Sequence, residues 1–144
     1  WSPRDVAQVL DILRRKREFV EEAQVFSLLM IFLRDLRQYP VHPLTQATWC
    51  LVELDALELI EQIPLEILPQ AGEETRRVTI MRLVLERMEE FDKDRAMTPT
   101  MKTYVQNLVK AYRYKYEVDF GLQPAHVRSF CRALFDVPSS VTAA

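Results

Sequence analysis

Proline residues stand along this chain where helices are expected to begin, and glycine is almost absent. The sequence holds eight prolines and two glycines, Gly72 and Gly121. Proline suits the first turn of a helix, because no intrahelical partner is lost there and its fixed φ already fits a helix. The prolines that mark predicted helix starts are Pro3, Pro43, Pro64, Pro99 and Pro124. Such a chain is expected to fold as a succession of helices.

The first three predicted helices differ in how much apolar surface they carry. Ser2 stands three residues before Asp5, close to a capping box, and apolar residues then recur at helical spacing. The second helix, residues 25–36, is apolar nearly all round and is therefore predicted to lie in the middle of the core. The third is predicted to start at Pro43, with one apolar stripe that continues to Ile63.

The second half of the chain repeats the same pattern. A short helical turn is expected after Pro64, followed by a loop at Gly72 and a long amphipathic helix. Thr98 is the expected N-cap of the next helix, whose buried stripe is predicted to include Tyr104. Gly121 is expected to interrupt the chain before the last helix.

No stretch alternates apolar and polar residues as a strand does. The sequence therefore predicts an all-α fold of six to seven antiparallel helices, either a bundle or a short HEAT/armadillo-like stack of helix pairs. Both arrangements stay open, because no repeat of about 30 to 50 residues is visible. We expect one helical domain over residues 1–137 and a disordered tail over residues 138–144.

The formal net charge is only −2, but the charges are unevenly distributed. Between Arg37 and Arg76 there is no lysine or arginine, and this segment is acidic. From Lys102 to Arg132 the balance reverses, and the last two predicted helices are basic. Such polarity is commonly only a solvated surface, but an organised basic surface favours a partner with a charge pattern of its own.

Candidate catalytic and metal-binding groups are few. His42 and His126 are the two histidines, and neither has further ligands at zinc-site spacing. His126 shares a helix with Ser129 and Cys131, but a nucleophile needs a base within hydrogen-bond reach and a third group that orients the base. Neither glycine belongs to a glycine-rich phosphate loop. The sequence predicts a non-enzymatic protein with no cofactor and no metal.

The cysteines and the apolar runs bear on the cellular setting. Cys50 and Cys131 each lie in an apolar helical pattern, which predicts buried free thiols in a reducing compartment. No run approaches the roughly 18 uncharged apolar residues of a membrane span. We therefore expect no membrane partner and a cytoplasmic location.

The function predicted from these patterns is protein–protein interaction. We expect a scaffold or adaptor domain of a larger protein, in which a groove between amphipathic helices accepts a partner helix or segment. Flanking charge would set register and association rate. The residues expected to form a basic partner-binding face are Lys110, Arg113, Tyr114, Lys115, Arg128 and Arg132.

The alternative is a nucleic-acid-binding helical domain. Residues 110–116 interleave tyrosines with basic residues, a pattern typical of surfaces that stack bases while neutralising phosphates. Residues 14–17 form a second basic cluster, although cations at the end of a helix also complement its dipole. Nucleic acid is the less favoured partner, because domains that bind it usually carry a clear basic excess.

The first part of the chain resembles a known family. Residues 5–60 contain Val9, Leu10, Asp11, Ile12 and Leu13, a long apolar helix at 28–36 and a following helix at 49–60. This segment, under half of the chain, resembles the C-terminal helical domain of the regulatory subunit of katanin, the microtubule severase. The resemblance implies a cytoskeletal adaptor that pairs with the N-terminal helical domain of a catalytic AAA ATPase subunit and helps to target microtubules.

Overall fold

The fold is all-α in the part of the chain that the structure describes. The computed structural model describes residues 1–62, 76–94 and 97–136. Seven α-helices form there, joined by turns and short 3-10 segments, with no strand among these residues. The helices are α1 (Pro3–Arg15), α2 (Glu22–Arg34), α3 (Val41–Glu53), α4 (Arg76–Lys93), α5 (Pro99–Lys115), α6 (Glu117–Gly121) and α7 (Ala125–Ala133).

Two helix starts follow from side-chain capping, as the sequence predicts. The Asp5 amide donates to Ser2 Oγ at 3.1 Å, and the Ser2 amide donates to Asp5 Oδ2 at 3.3 Å, which completes a capping box at α1. Thr98 Oγ1 accepts from the Met101 amide at 3.2 Å and caps α5, which has proline at its first position. Both predictions are confirmed.

The predicted extent of the third helix is wrong at both ends. The helix starts at Val41, with Pro40 as its N-cap, so that Pro43 lies inside the first turn. It ends at Glu53 rather than continuing to residue 63, because Asp55 adopts a left-handed backbone conformation, φ 59°. A separate 3-10 segment, Ala56–Gln62, follows. The predictions at Pro64 and Gly72 lie outside the described residues.

The helix at the centre of the core is α3, not α2 as the sequence indicated. Thr45 and Thr48 read as polar in the sequence, yet both are buried. Their hydroxyls donate to the Val41 and Leu44 carbonyls of the same helix, at 2.8 and 2.7 Å. A threonine whose hydroxyl is satisfied by its own helix can face a core, so α3 is enclosed on more sides than its sequence suggests.

Helix α3 makes the most extensive packing in the molecule, with α1 on one side and α5 on the other. It also contacts α2 and α4, and α7 packs on α4. The two most extensive contacts are therefore between alternate helices, whereas α1 packs on α2, and α5 on α6, as chain neighbours. This packing is consistent with both expected architectures, a bundle and a stack of helix pairs.

Polar contacts between helices stabilise the packing of the second half of the chain. Gln123 Nε2 donates at 3.0 Å to the Val78 carbonyl of α4 and at 3.0 Å to the Tyr112 hydroxyl of α5. Arg77 of α4 forms an ion pair with the mostly buried Asp119 of α6. These contacts fix the short helix α6 and the start of α7 against α4 and α5.

The two cysteines are buried free thiols, as predicted. Burial raises the pKa of the Cys50 thiol to about 11 and that of Cys131 to about 12, because the thiolate is poorly solvated in the interior.

Among the described residues, no helix has the length and apolarity required to cross a bilayer.

Candidate interaction surface

Four of the basic residues singled out in the sequence lie on two helices, α5 and α7. Lys110 and Arg113 belong to α5, and Arg128 and Arg132 belong to α7. The end of α7 is held against α5 by Gln106, whose side-chain amide donates to the Leu134 carbonyl. These four cations are called the basic face below.

Aromatic rings lie beneath two of the four cations. Lys110 Nζ is 5.7 Å from the centre of the Phe135 ring, and Arg113 Cζ is 4.7 Å from that of Phe120. Arg128 Nε donates to the Gln123 carbonyl at 3.0 Å. The basic face therefore consists of cations spread over partly exposed aromatic rings, an arrangement that combines charge with apolar contact area.

The cations of the basic face have no carboxylate partner among the described residues. None of the four lies within 4.0 Å of an Asp or Glu oxygen there, and the same holds for Lys102 at the start of α5. Arg128 Nε is bonded within the protein, and the four side chains form no direct ion pair within the described residues.

Lys115, although predicted as part of this face, is bonded inside the molecule. Its ammonium donates to the Val52 carbonyl at 2.8 Å, to the Glu53 carbonyl at 3.3 Å and to Asp55 Oδ1 at 2.6 Å. An ammonium group has three N–H donors, and all three are used. Lys115 therefore caps the C-terminal end of α3, where a cation complements the helix dipole.

The tyrosines of residues 110–116 are not equivalent. Tyr112 and Tyr116 are buried, and their rings pack on each other with centres 6.2 Å apart. Tyr114 is 91% exposed, on the solvent side of α5. Tyr104, predicted to be buried, is instead 45% exposed and packs edge-on against His42 of α3. A single tyrosine of residues 110–116 is therefore open to a partner.

The basic cluster of residues 14–17 is largely neutralised. Arg14 and Arg15 both pair with Asp11, at 2.9 and 2.7 Å, and Arg17 pairs with Asp55. The Arg14 guanidinium also lies 4.5 Å from the centre of the Trp49 ring. Three of these four cations thus stabilise the fold or the surface of α1 and α3.

A groove runs along α3, between α1 and α5. Between α3 and α5 it holds a cavity of about 190 Å³, lined by His42, Thr45, Gln46, Trp49, Tyr104 and Asn107. Between α1 and α3 lies a second cavity of about 570 Å³, whose lining includes Ser2, Arg4 and Gln8. His42 and Gln46 line both cavities, which therefore adjoin at these two residues and are together called the groove below.

The groups considered for catalysis are placed apart. His126 Nε2 lies 3.0 Å from Glu86 Oε2 of α4, rather than beside Ser129, and the Cys131 thiol is buried. Glu58 and Glu61 stand three residues apart in the sequence, as an acid–base pair on one helix would, but the side chain of Glu61 is outside the described side chains. No group of three or more potential metal ligands occurs within the described residues.

Three contributors to these surfaces were not identified in the sequence analysis: Phe120, Phe135 and the groove amides. Phe135 follows Arg128 and Arg132 at i+7 and i+3, a spacing that in the sequence alone indicates one side of a helix, although Phe135 lies just beyond the end of α7. That spacing was a usable signal. Phe120 lies in a short separate helix, and its position under Arg113 depends on tertiary packing.

Comparison with known proteins gives no relative from which a function could be transferred. No protein-family model, no curated protein sequence and no solved structure matches the chain. Functional inference therefore depends on the surfaces themselves.

Proposed function

We propose that the chain is a non-catalytic helical interaction domain that binds an acidic segment of another protein through the basic face. The observation that carries the proposal is the set of four cations on α5 and α7 with no carboxylate partner in the described part of the chain. Carboxylates of a partner would supply the missing charges, which accelerates association and selects the partner.

The aromatic rings under the cations support a protein partner. Phe120 and Phe135 provide apolar contact area next to Arg113 and Lys110. Interfaces commonly bind through a few aromatic or arginine anchors, with surrounding charge contributing to specificity. An acidic segment with apolar residues between its carboxylates fits this combination.

A nucleic acid is the competing class of partner, because cations beside aromatic rings also suit phosphates and bases. Two observations favour a protein partner over a nucleic acid. Only Tyr114 of the tyrosines in residues 110–116 is exposed, so base stacking has one platform there. The second basic cluster, residues 14–17, is mostly paired with Asp11 and Asp55.

The resemblance to the katanin regulatory subunit adds a specific expectation. It falls on residues 5–60, which contain α2, α3 and most of α1, and it leaves the basic face outside. On that resemblance, the partner would be the helical domain of an AAA ATPase subunit or the microtubule itself. Either would be recognised directly in the experiment that follows.

The test is capture from a lysate of the source cells with wild-type protein and with the variant Arg113→Glu/Arg128→Glu as bait. A control variant, Lys16→Glu/Arg37→Glu, changes the net charge equally at exposed positions outside the basic face. Each capture is run with and without nuclease and quantified by mass spectrometry.

The proposal predicts that one or more proteins are captured equally with and without nuclease and are still captured by the control variant. Their recovery should fall at least about tenfold with Arg113→Glu/Arg128→Glu. Equal recovery by all three baits would overturn the role of the basic face. Loss of all captured protein after nuclease treatment would assign the face to nucleic acid instead. Circular dichroism of each bait establishes that the variants are folded.

A further inference from the structure

Within the described part of the chain, the central helix α3 is open to solvent along one side. Its exposed or partly exposed residues His42, Gln46 and Trp49 recur every three or four positions and form a stripe, with Pro43 beside it. The N-terminal part of α1 and the side chains of Tyr104 and Asn107 on α5 border this stripe. The stripe is therefore the floor of the groove, and α1 and α5 are its walls.

Each of these three helices contributes a side-chain amide to the groove. Gln8 comes from α1, Gln46 from α3 and Asn107 from α5. None of the three amides forms a hydrogen bond with another described residue of the protein. A side-chain amide offers both donors and an acceptor, the same groups that a peptide backbone offers.

The groove carries little charge. Among the described residues, no Asp, Glu, Lys or Arg lines the cavity between α3 and α5, and Arg4 is the one charged residue that lines the cavity between α1 and α3. The cavity of about 190 Å³ has Trp49, Tyr104 and His42 in its wall and exceeds the roughly 150 Å³ that accommodates benzene in an apolar cavity. Its size and lining suit one aromatic or large aliphatic side chain.

A helical occupant would leave the groove amides without backbone partners, because a helix uses its own N–H and C=O groups internally. An extended segment has these groups free, and main-chain hydrogen bonds then give affinity while a side-chain pocket gives specificity. The uncharged amides, set on three adjacent helices, match such a segment lying across the helices.

We propose that the groove binds an extended, uncharged peptide segment across α1, α3 and α5, with its backbone on Gln8, Gln46 and Asn107 and an aromatic side chain in the cavity beside Trp49. The inference rests on the proposed role as an interaction domain but uses a surface other than the basic face. The segment belongs to a partner protein.

The probe is an array of uncharged ten-residue peptides with a central Phe, Trp, Leu or Ala, prepared in a proline-rich extended frame and in an alanine-rich helical frame. The strongest peptide is then titrated by fluorescence anisotropy against wild-type protein, Gln46→Ala, Asn107→Ala and the control Gln38→Ala, which is exposed outside the groove. A second version of that peptide, with one backbone amide replaced by an ester, tests whether the peptide main chain hydrogen-bonds to the groove amides.

The expected result is binding of extended peptides with a central aromatic residue, weakened at least about fivefold by Gln46→Ala and by Asn107→Ala and unchanged by Gln38→Ala. The ester-containing peptide should bind wild type more weakly than the parent peptide does. Both peptides should bind equally to the alanine variant, Gln46→Ala or Asn107→Ala, that lacks the side chain in contact with the replaced amide. Equal or stronger binding of the helical frame, or no peptide binding that depends on these amides, would overturn the inference.

The variant Arg113→Glu/Arg128→Glu separates this result from the test of the basic face. It should bind the uncharged peptide as wild type does, because neither arginine lines the groove. If this variant loses the peptide while the alanine variants keep it, the basic face is the binding surface and the groove proposal fails.

Discussion

The C-terminal half of α5 carries three cations of similar chemistry in two different settings. Lys115 donates all three of its N–H groups to the end of α3 and to Asp55. Lys110 and Arg113, only a turn or so earlier, face α6 and α7 and have no carboxylate partner among the described residues. The difference teaches that position on the helix, not residue type, decides whether a cation stabilises the fold or stays available to a partner.

The physical reason is the direction in which each side chain leaves α5. Lys115 points towards the C-terminal carbonyls of α3, which carry the partial negative charge of the helix dipole. Lys110 and Arg113 point towards rings of Phe135 and Phe120, which attract a cation but do not neutralise it.

Replacing Lys115 by Met is expected to give the largest loss of stability. The variant removes the hydrogen bonds of the ammonium to the end of α3 and to Asp55, although the backbone amides of Leu54 and Asp55 still donate to the Cys50 and Val52 carbonyls. A hydrogen bond from a charged group contributes about 1.5–3 kcal/mol. We expect the free energy of unfolding to fall by about 2 kcal/mol in Lys115→Met and by less than about 0.5 kcal/mol in the matched control, Lys110→Met. Urea denaturation followed by circular dichroism measures both; equal losses would break the distinction between the two lysines.

The buried thiols extend the comparison from charges to neutral groups. Their pKa values are raised from 9.0 to about 11 at Cys50 and about 12 at Cys131, so both thiols stay protonated in the folded protein below pH 9. Above pH 9 the thiols of the unfolded chain ionise first, and the free energy of unfolding should fall by about 1 kcal/mol per thiol near about pH 10.

The variant Cys50→Ala/Cys131→Ala tests this pH dependence. Its free energy of unfolding should change less than that of wild type between about pH 8 and about pH 10, although it starts from a lower value because buried volume is lost. Identical slopes in the two proteins would show that the thiols are solvated rather than enclosed.

The smallest expected effect concerns like charges within α7. Arg128 and Arg132 are one turn apart, and such a pair of like charges destabilises a helix by about 0.2–0.5 kcal/mol. Arg132→Gln removes this repulsion but also removes a cation from the last turn of α7, where it complements the helix dipole, so the free energy of unfolding should change by less than about 0.3 kcal/mol at low salt. Arg15→Gln removes both a 2.7 Å ion pair with Asp11 and a cation from the last turn of α1, and should lower it by about 0.5 kcal/mol. Thermal unfolding with and without added salt compares them, and a loss in Arg132→Gln as large as that in Arg15→Gln would be contrary to expectation.

The fold class could be predicted from the sequence because the signals that define it are local. Capping at Ser2 and Thr98 and the apolar spacing of α1 and α5 involve neighbours within a turn or two. The end of α3 was predicted wrongly because no Gly or Pro marks it. The left-handed conformation at Asp55 is held by Arg17 and Lys115, which are 38 and 60 residues away in the chain.

The candidate site was predictable in part for the same reason. The basic character of α5 and α7 follows from composition, which is how Lys110, Arg113, Arg128 and Arg132 were identified. The internal role of Lys115 depends on where α3 ends, and the residue spacing within α5 gives no information about that position. The groove likewise requires three helices to meet.

The central claim is that the basic face selects acidic protein segments. The most direct measurement is fluorescence anisotropy of two peptides of about 15 residues with the same apolar residues, one bearing Glu and the other Lys at the remaining positions, and of an oligonucleotide of similar length. Wild-type protein and Arg113→Glu/Arg128→Glu are titrated at about 50 and about 200 mM NaCl.

The account predicts that wild type binds the Glu peptide more tightly than either other probe and that added salt weakens this binding. The variant Arg113→Glu/Arg128→Glu should bind the Glu peptide at least about tenfold more weakly than wild type does. Equal affinity for the Glu and Lys peptides, or stronger binding of the oligonucleotide than of the Glu peptide, would contradict it.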